Sequence, residues 1–509
     1  MIRSASLNQE RRREDIERLA DGEVVDVVVV GGGITGAGIA LDAATRGLRV
    51  ALLERRDLAN GTSRWSSKLA HGGLRYLRQL EIGVAWESAR ERHLLMSTTA
   101  THLVRPLAFV APLNDAIPPM HGVLTEMGIR VGDLMRIASG TRGDLLPPPR
   151  RISSQEAIRR VPSLRADGLR GAILFWDGQI EDDARLVVAI ARTAAAHGAR
   201  ILTYCDVGAV HGDRVAVRDA LSGESFEVRC RRVVNATGVW AGQFAESVRL
   251  TPSKGSHVIV DSRTMNDPQA ALVVPVAGES ARWVGATPSG DGRVIIGVTD
   301  IGHAGPIDDD PTVTDAEERF LLTTASKALA RPLESSDVIG RFAGYRPLLA
   351  GREGSTADLS RRHAIVEDPA TRALTIVGGK LTTYRKMAQD VVDLIVAGQR
   401  RPARTASLPL VGAAPRAVLH SVNAIPRLVR RYGMEAPSVE ALAASDPRLL
   451  DPIADGLQVL GVELLFGVRH EGALSVDDLL DRRVRLGLVP RDRRAAQDRV
   501  DALMRGLAA

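Results

Sequence analysis

At 509 residues the chain has room for about two to four domains and a sizeable buried core. Hydrophobic residues at 45% and charged residues at 25% exclude a globally disordered protein. Lys+Arg 67 against Asp+Glu 61 nets only +6, and basic residues scattered among acids with 3% aromatics argue against nucleic acid as a partner. The longest uncharged apolar run, Val27–Leu41, has 15 glycine-interrupted residues, short of the ~20 that a spanning helix needs. The first 19 residues show no secretory leader pattern, and with two cysteines (Cys205 and Cys230) a disulfide framework is excluded and a cytoplasmic setting expected. The His and Cys residues show no ligand spacing, so no metal is expected. Only five basic residues are lysine: Lys68, Lys254, Lys327, Lys380 and Lys386. Arginine cannot replace lysine where a compact or tunable cation is needed, which makes these lysines candidates for chemistry.

The N-terminal 20 residues mix arginines with acids and predict a solvated amphipathic helix. The β-branched run Val24–Val30 predicts a strand ended by three glycines. Apolar residues at Ile34, Ala37, Ala40, Leu41 and Ala44 then follow helical spacing, and Val50–Leu53 ends on Glu54, which completes a βαβ unit. A small-residue loop containing Thr62 follows, then a long helix around Ala85–Thr99, a break at Pro147–Pro149 and a helix over Asp182–His197. Ile201–Val210, Arg214–Arg218 and Phe226–Arg229 predict an antiparallel meander, closed by a strand Arg232–Asn235. Residues 254–300 read as strands with a hairpin at Ser289–Gly292, and from about 400 the pattern becomes short helices and Pro-marked turns.

Gly31-x-Gly33-x-x-Gly36 stands between a predicted strand and a predicted helix, where glycines permit a tight turn, close approach of a pyrophosphate and close helix–strand packing. The helix N-terminus then faces the phosphates. Glu54, 18 residues past Gly36, is placed to accept hydrogen bonds from an adenosine ribose. Arg55 and Arg56 would suit an NADP 2′-phosphate, but Glu54 opposes it. A second glycine-bearing strand end, Ala236-Thr237-Gly238, returns to the same nucleotide after the meander, and this favours FAD.

The stretch from Ser66 through Lys68, His71 and Arg75 to Leu77 resembles the signature of FAD-dependent glycerol-3-phosphate dehydrogenases. Lys254–His257, Gly344–Leu348, Ser360–His363 and Gly378–Arg385 resemble that family's later motifs in the same order, over about residues 24–390. Ala70, Tyr345 and Val298 depart from the family pattern without removing a charged group.

The resemblance implies an α/β fold: a Rossmann-type FAD-binding domain, an antiparallel-sheet substrate domain of the amino-acid-oxidase kind, and a C-terminal helical cap. The expected segments are 20–80, 150–250 and 340–395 for FAD, 81–149 and 251–339 for substrate, and 396–509 for the cap. It implies oxidation of sn-glycerol 3-phosphate to dihydroxyacetone phosphate by hydride transfer to non-covalent FAD, with electrons passed to a membrane quinone. Arg75, Arg346 and Arg361 match the substrate and phosphate contacts, since planar guanidinium forks suit phosphate oxygens. Tyr76 is a further substrate contact.

His257 is a general-base candidate because imidazole titrates near neutral pH. Lys380 would stabilise negative charge on the flavin or a developing alkoxide, and Arg346 shares the catalytic assignment. The base stays open among these three. Thr62, Ser67, Lys68 and Leu69 are expected at the flavin from one side, and Gly379, Leu381 and Thr382 from the other. Attachment to the inner face of the cell membrane through arginine-bearing terminal helices, and a homodimer, are further expectations. The rival readings are an oxidase of the same fold acting on an amino or hydroxy acid, and a non-catalytic or RNA-associated FAD protein.

Overall fold

The structure, a computed structural model, describes residues 2–73, 81–114, 119–211, 213–245, 248–279, 282–350, 362–369 and 371–508. Val24–Val30 is valine at all but one position, and such a strand buries both faces well. It pairs in parallel with Val50–Leu53 on one side and Ser225–Asn235 on the other. Arg200–Leu202 and Leu374–Val377 continue the parallel sheet outward, and Ala364–Glu367 closes one edge antiparallel.

Alternation sorts the central side chains onto two faces. Val27, Val29 and Leu52 face the helices Ile34–Thr45, Asp183–Ala196 and Tyr384–Ile395, while Val28, Val30 and Leu53 pack against Leu19 of the helix Gln9–Ala20 and Val217 of the meander.

The predicted meander differs in two places. Ile201–Val210 is not one strand, because the backbone breaks at Tyr204 (φ 58°); Arg200–Leu202 stays in the parallel sheet and Cys205–His211 reverses onto Arg214–Asp219. Phe226–Arg229 and Arg232–Asn235 belong to one strand, Ser225–Asn235, whose first half pairs with the meander and whose second half, from Arg229 on, pairs in the parallel sheet.

The second sheet has ten strands and is antiparallel except between Ala271–Pro275 and Val104–Pro112. Its hairpin Trp283–Pro288/Arg293–Gly297 turns where the sequence places it. Arg150–Ile152, Ala172–Ile180 and Val338–Arg346 lie in this sheet, although 150–250 and 340–395 were expected with the nucleotide-binding unit. The cause is long-range pairing: Ala172–Ile180 matches Val104–Pro112 residue for residue along its whole length.

The C-terminal region is helical as expected, with Pro426–Tyr432, Gly461–His470 and Pro490–Ala508 around two small apolar cores. Buried ion pairs tie it to the rest of the chain: Arg185–Glu471 at 2.7 Å, Arg192–Glu435 at 2.6 Å and Arg483–Asp57 at 2.7 Å.

Candidate active site

A cavity of about 870 Å³ runs from the carboxyl ends of the parallel strands to the second sheet. Its first end is the glycine turn. Gly31 takes φ 109°, and a Cβ there would lie 2.7 Å from the Ala236 carbonyl oxygen, so the first and later strand ends meet as the glycines require. The helix Ile34–Thr45 begins at Gly33, which has no side chain to cap it; Ser63 takes the Ile34 amide at 2.9 Å, and the helix's positive end lies beside the cavity where a pyrophosphate fits. Gly36 lies behind the lining, packed on the turn.

Glu54 accepts from the Gly32 amide at 2.6 Å and the Arg56 amide at 2.9 Å. Burial nevertheless pushes its carboxyl above the ordinary range. Arg55 and Arg56 both pair with Asp309, at 2.5 and 2.6 Å, instead of forming a 2′-phosphate pocket. The residues therefore fit FAD, whose ribose carries only hydroxyls there. Ala236, Thr237 and Gly238 border the same space, and the Thr237 hydroxyl is fixed by Asn235 at 2.7 Å.

At the far end Thr62, Ser67, Leu69, Gly379, Leu381 and Thr382 line the wall, with His257, Arg346 and Lys380 among them. His257 is 2% exposed, stacks on Phe342 (centroids 4.5 Å apart) and exchanges a 2.8 Å hydrogen bond between Nε2 and the Ser67 hydroxyl. Its Nδ1 is buried without a hydrogen-bond partner among the described residues, the kind of atom that a ligand satisfies. Gly297 makes room for the ring: a Cβ there would stand 2.1 Å from His257 Cδ2. Arg346 is held by Asp300 at 3.3 Å and donates to the Ser253 hydroxyl at 3.3 Å. Lys380 Nζ donates to the Ser88 hydroxyl at 2.7 Å, so the helix Ile82–Leu94 reaches it from behind.

Lys68 does not enter the cavity; burial turns its ammonium inward onto Asp183, with both carboxylate oxygens at 3.0 Å. His257 does not titrate near neutrality, because desolvation, with the Lys68 and Arg346 cations nearby, pushes the imidazole down to about 3. It is a neutral donor–acceptor at physiological pH. Arg75, Tyr76 and Arg361 lie outside the described residues.

Sequence reasoning missed Trp65, which lines the wall and stacks on Phe342, and Asp177, which accepts from the Gly72 amide at 3.0 Å and from Arg92 at 2.7 Å. It also missed Asp183. That residue follows Asp182, an N-cap whose side chain accepts from the Arg185 amide, and the acidic run before an apolar helix was the available signal.

The buried histidines predict acid lability. His102, packed on Gly412 and Gly433, is also pushed by burial from 6.5 to about 3. The unfolded chain binds a proton on each ring as pH falls through 6.5, whereas the folded protein refuses it until about 3. Stability is therefore undiminished above 6.5 and falls below it by up to about 1.4 kcal/mol per pH unit per ring. Thermal midpoints from pH 7.5 to 5 should drop accordingly, with roughly half the loss removed in His102→Gln. A flat profile would contradict the burial argument.

Residues 26–379 match the family described as FAD dependent oxidoreductase, and 370–508 match the C-terminal domain of alpha-glycerophosphate oxidase. Fold and cradle together thus define a FAD-dependent oxidoreductase. Glycerol-3-phosphate dehydrogenase 1 of Mycobacterium tuberculosis is 49% identical over 503 residues, covering 97% of each chain, and glycerol-3-phosphate dehydrogenase of Synechocystis is 30% identical over 92% of this chain and 90% of that one. The crystal structure of the glycerol-3-phosphate dehydrogenase from Bacillus halodurans complexed with FAD shares the fold, with a TM-score of 0.73 and 24% identity over 99% of this chain and 94% of that one. The chain belongs to the FAD-dependent glycerol-3-phosphate dehydrogenase family.

Proposed function

We propose that this protein oxidises sn-glycerol 3-phosphate to dihydroxyacetone phosphate with FAD and delivers the electrons to a membrane quinone. The observation that carries the reading is the convergence of His257, Ser67, Arg346 and Lys380 on one end of a cavity whose other end is a dinucleotide cradle. Bound FAD supplies the hydride acceptor. Gly31, Gly33, Glu54 and Thr237 would hold its adenosine and pyrophosphate half, and Gly379 and Thr382 would hold the flavin end. Arg346 offers a guanidinium to the substrate phosphate, with Arg75 and Arg361 joining it on the strength of the family motifs. The neutral His257 ring, steadied by Ser67, takes the hydroxyl proton at a ring nitrogen as the hydride leaves, when the developing carbonyl makes that proton acidic enough for a weak base. Lys380 offsets the negative charge that develops as that proton leaves.

The test is anaerobic bleaching of the flavin by glycerol 3-phosphate compared with glycerol, lactate and amino acids, followed by reoxidation with a soluble quinone or with oxygen. Bleaching by lactate or an amino acid alone would overturn the substrate. Faster reoxidation by oxygen would replace the dehydrogenase by an oxidase. Arg346→Lys should lower kcat/KM for glycerol 3-phosphate by about 10- to 150-fold, the worth of a charged hydrogen bond, with little effect on bare glycerol. Equal losses on both substrates would remove Arg346 from phosphate recognition.

No helix among the described residues is long and apolar enough to cross a membrane. The terminal helices are also poor candidates for docking on one, because Leu19 and Ile16 pack into the first sheet and Ala496 and Val500 into the C-terminal core. The helices Ile82–Leu94 and Pro119–Ala138 are better suited. They pack together through Val84, Ala85 and Met135 while exposing Ile82 (61%), Leu134 (66%) and Ile137 (57%), with Arg90 and Arg130 at the surface for anionic headgroups. Cosedimentation with anionic vesicles should be lost in Leu134→Glu; unchanged cosedimentation would move the docking face elsewhere.

A further inference from the structure

Behind the His257 wall lies a buried charge cluster that the proposed chemistry does not use. Asp183, the first residue of its helix, takes Lys68 on both oxygens at 3.0 Å, and accepts from the Ser66 amide at 2.9 Å and the Ser66 hydroxyl at 2.7 Å. The residues on either side of Ser66 are Trp65 and Ser67, which line the cavity. Asp183 thus grips the segment that presents Ser67 to His257.

The cluster is closed from the C-terminal region by Arg485. Its Nε donates to Asp182 at 3.0 Å, its Nη2 donates to the Arg64 carbonyl at 2.5 Å and lies 3.6 Å from Asp183, and its Nη1 donates to the Asp481 carbonyl at 2.6 Å. The same guanidinium lies 5.4 Å over the Trp65 ring. Trp65 and His257 both stack on Phe342, with centroids 5.8 and 4.5 Å apart. Lys68 (φ 55°) and Arg485 (φ 62°) both occupy the left-handed region that favours glycine. A non-glycine residue persists there when its surroundings over-determine it, as these ion pairs do.

We propose that Arg485 and Asp183 are positioning residues: the C-terminal region, through Arg485, locks Trp65–Lys68 so that the Ser67 hydroxyl stays on His257 Nε2. This rests on the reading of His257 as part of the reacting site. The helical cap is then a structural wall of the active site and not an appended module. Mutual dependence follows, because Arg485 acts on the reaction only through Ser67 and His257.

The test is a double-mutant cycle on the holoenzyme, measuring kcat and KM for glycerol 3-phosphate. Arg485→Ala and Ser67→Ala should each lower kcat by about tenfold with KM little changed, because small misplacements of a catalytic contact cost rate before binding. The double variant should fall no more than about twofold below the weaker single. Arg485→Lys should recover part of the loss, since it keeps the cation beside Asp182 and Asp183. It replaces Arg485→Ala in the cycle if the latter does not fold. Multiplied losses near 100-fold in the double variant, or full activity in Arg485→Ala, would overturn the proposal. If glycerol 3-phosphate does not bleach the wild-type flavin, only the activity reading fails. The flavin's visible circular dichroism needs no substrate, and an Arg485→Ala spectrum superimposable on wild type would overturn the positioning role by itself.

Discussion

Gly36→Ala should purify without FAD. A Cβ at this position would sit 1.9 Å from the Gly31 carbonyl oxygen, well inside any real carbon–oxygen contact, and backbone bounds both sides of the clash. The helix Ile34–Thr45 must therefore shift away from the strand end, taking with it the amides that face the pyrophosphate. Overpacking of this kind costs about 1–3 kcal/mol in a core that can relax, and more where backbone meets backbone. Gly33→Ala provides the contrast. Its Cβ meets only the Ser63 hydroxyl, at 3.1 Å, which can give by a few tenths of an ångström while still accepting from the Ile34 amide at 2.9 Å. That variant should fold with an unchanged apoprotein midpoint and bind FAD more weakly, because the methyl enters the space the phosphates approach. Flavin-to-protein absorbance ratios and thermal scans with and without added FAD separate the two failures. A Gly36→Ala protein carrying a full complement of flavin would show that the turn tolerates what its geometry forbids.

The parts of this architecture that were legible in the sequence are the local ones. Val24–Val30, the glycine triplet and Glu54 follow one another within a single βαβ unit, and each leaves a short-range mark: β-branched residues, a turn, an acid at a strand end. The same holds for Gly378–Thr383, where two glycines end Leu374–Val377 before a helix.

Contacts between distant residues left no such mark. Nothing near Lys68 announces a left-handed backbone, since glycine is the usual sign of one, so its ammonium could not be read as turning from the cavity to Asp183. That the His257 ring is neutral at pH 7 and hard to protonate was hidden for a related reason: it is buried against Phe342, a cross-strand neighbour far along the chain. Arginine abundance was readable as composition. That Arg482, Arg483 and Arg485 are buried counter-ions of Asp57, Asp182 and Asp183 depends on tertiary pairing across hundreds of residues. Ala172–Ile180 and Val338–Arg346, inside segments expected with the nucleotide-binding unit, pair into the second sheet, and no local pattern marks such long-range partners.

Asp57→Ala should lower stability by about 3–5 kcal/mol, the cost of leaving buried cations without their counter-ion. Asp57 is fully buried in the loop after Val50–Leu53, where it accepts from Arg482 Nε at 2.7 Å and from Arg483 Nη1 and Nη2 at 2.7 and 2.8 Å. Arg482 retains Asp478 at 2.7 Å, and Arg483 retains the Glu471 carbonyl at 2.8 Å, so the hydrogen-bond loss is partial while the charge imbalance is not. Over a chain of 509 residues that free energy corresponds to a fall of about 3–5 °C in the thermal midpoint. Removing both charges separates the two contributions: Asp57→Leu with Arg483→Met should be less destabilised than Asp57→Ala alone, because no uncompensated Arg483 charge remains. Desolvation raises the Asp57 carboxyl, but Arg483 and Arg482 outweigh it and hold the group below its ordinary 3.8. A depressed carboxyl contributes in full above the unfolded value and is lost only as pH falls through the folded one. The Asp57→Ala deficit should therefore be constant from pH 8 to 5, while the histidine-linked loss grows over the lower part of that range. A deficit that shrinks between pH 6.5 and 5 would mean that Asp57 is already protonated there, contrary to a carboxylate gripped by two guanidinium groups.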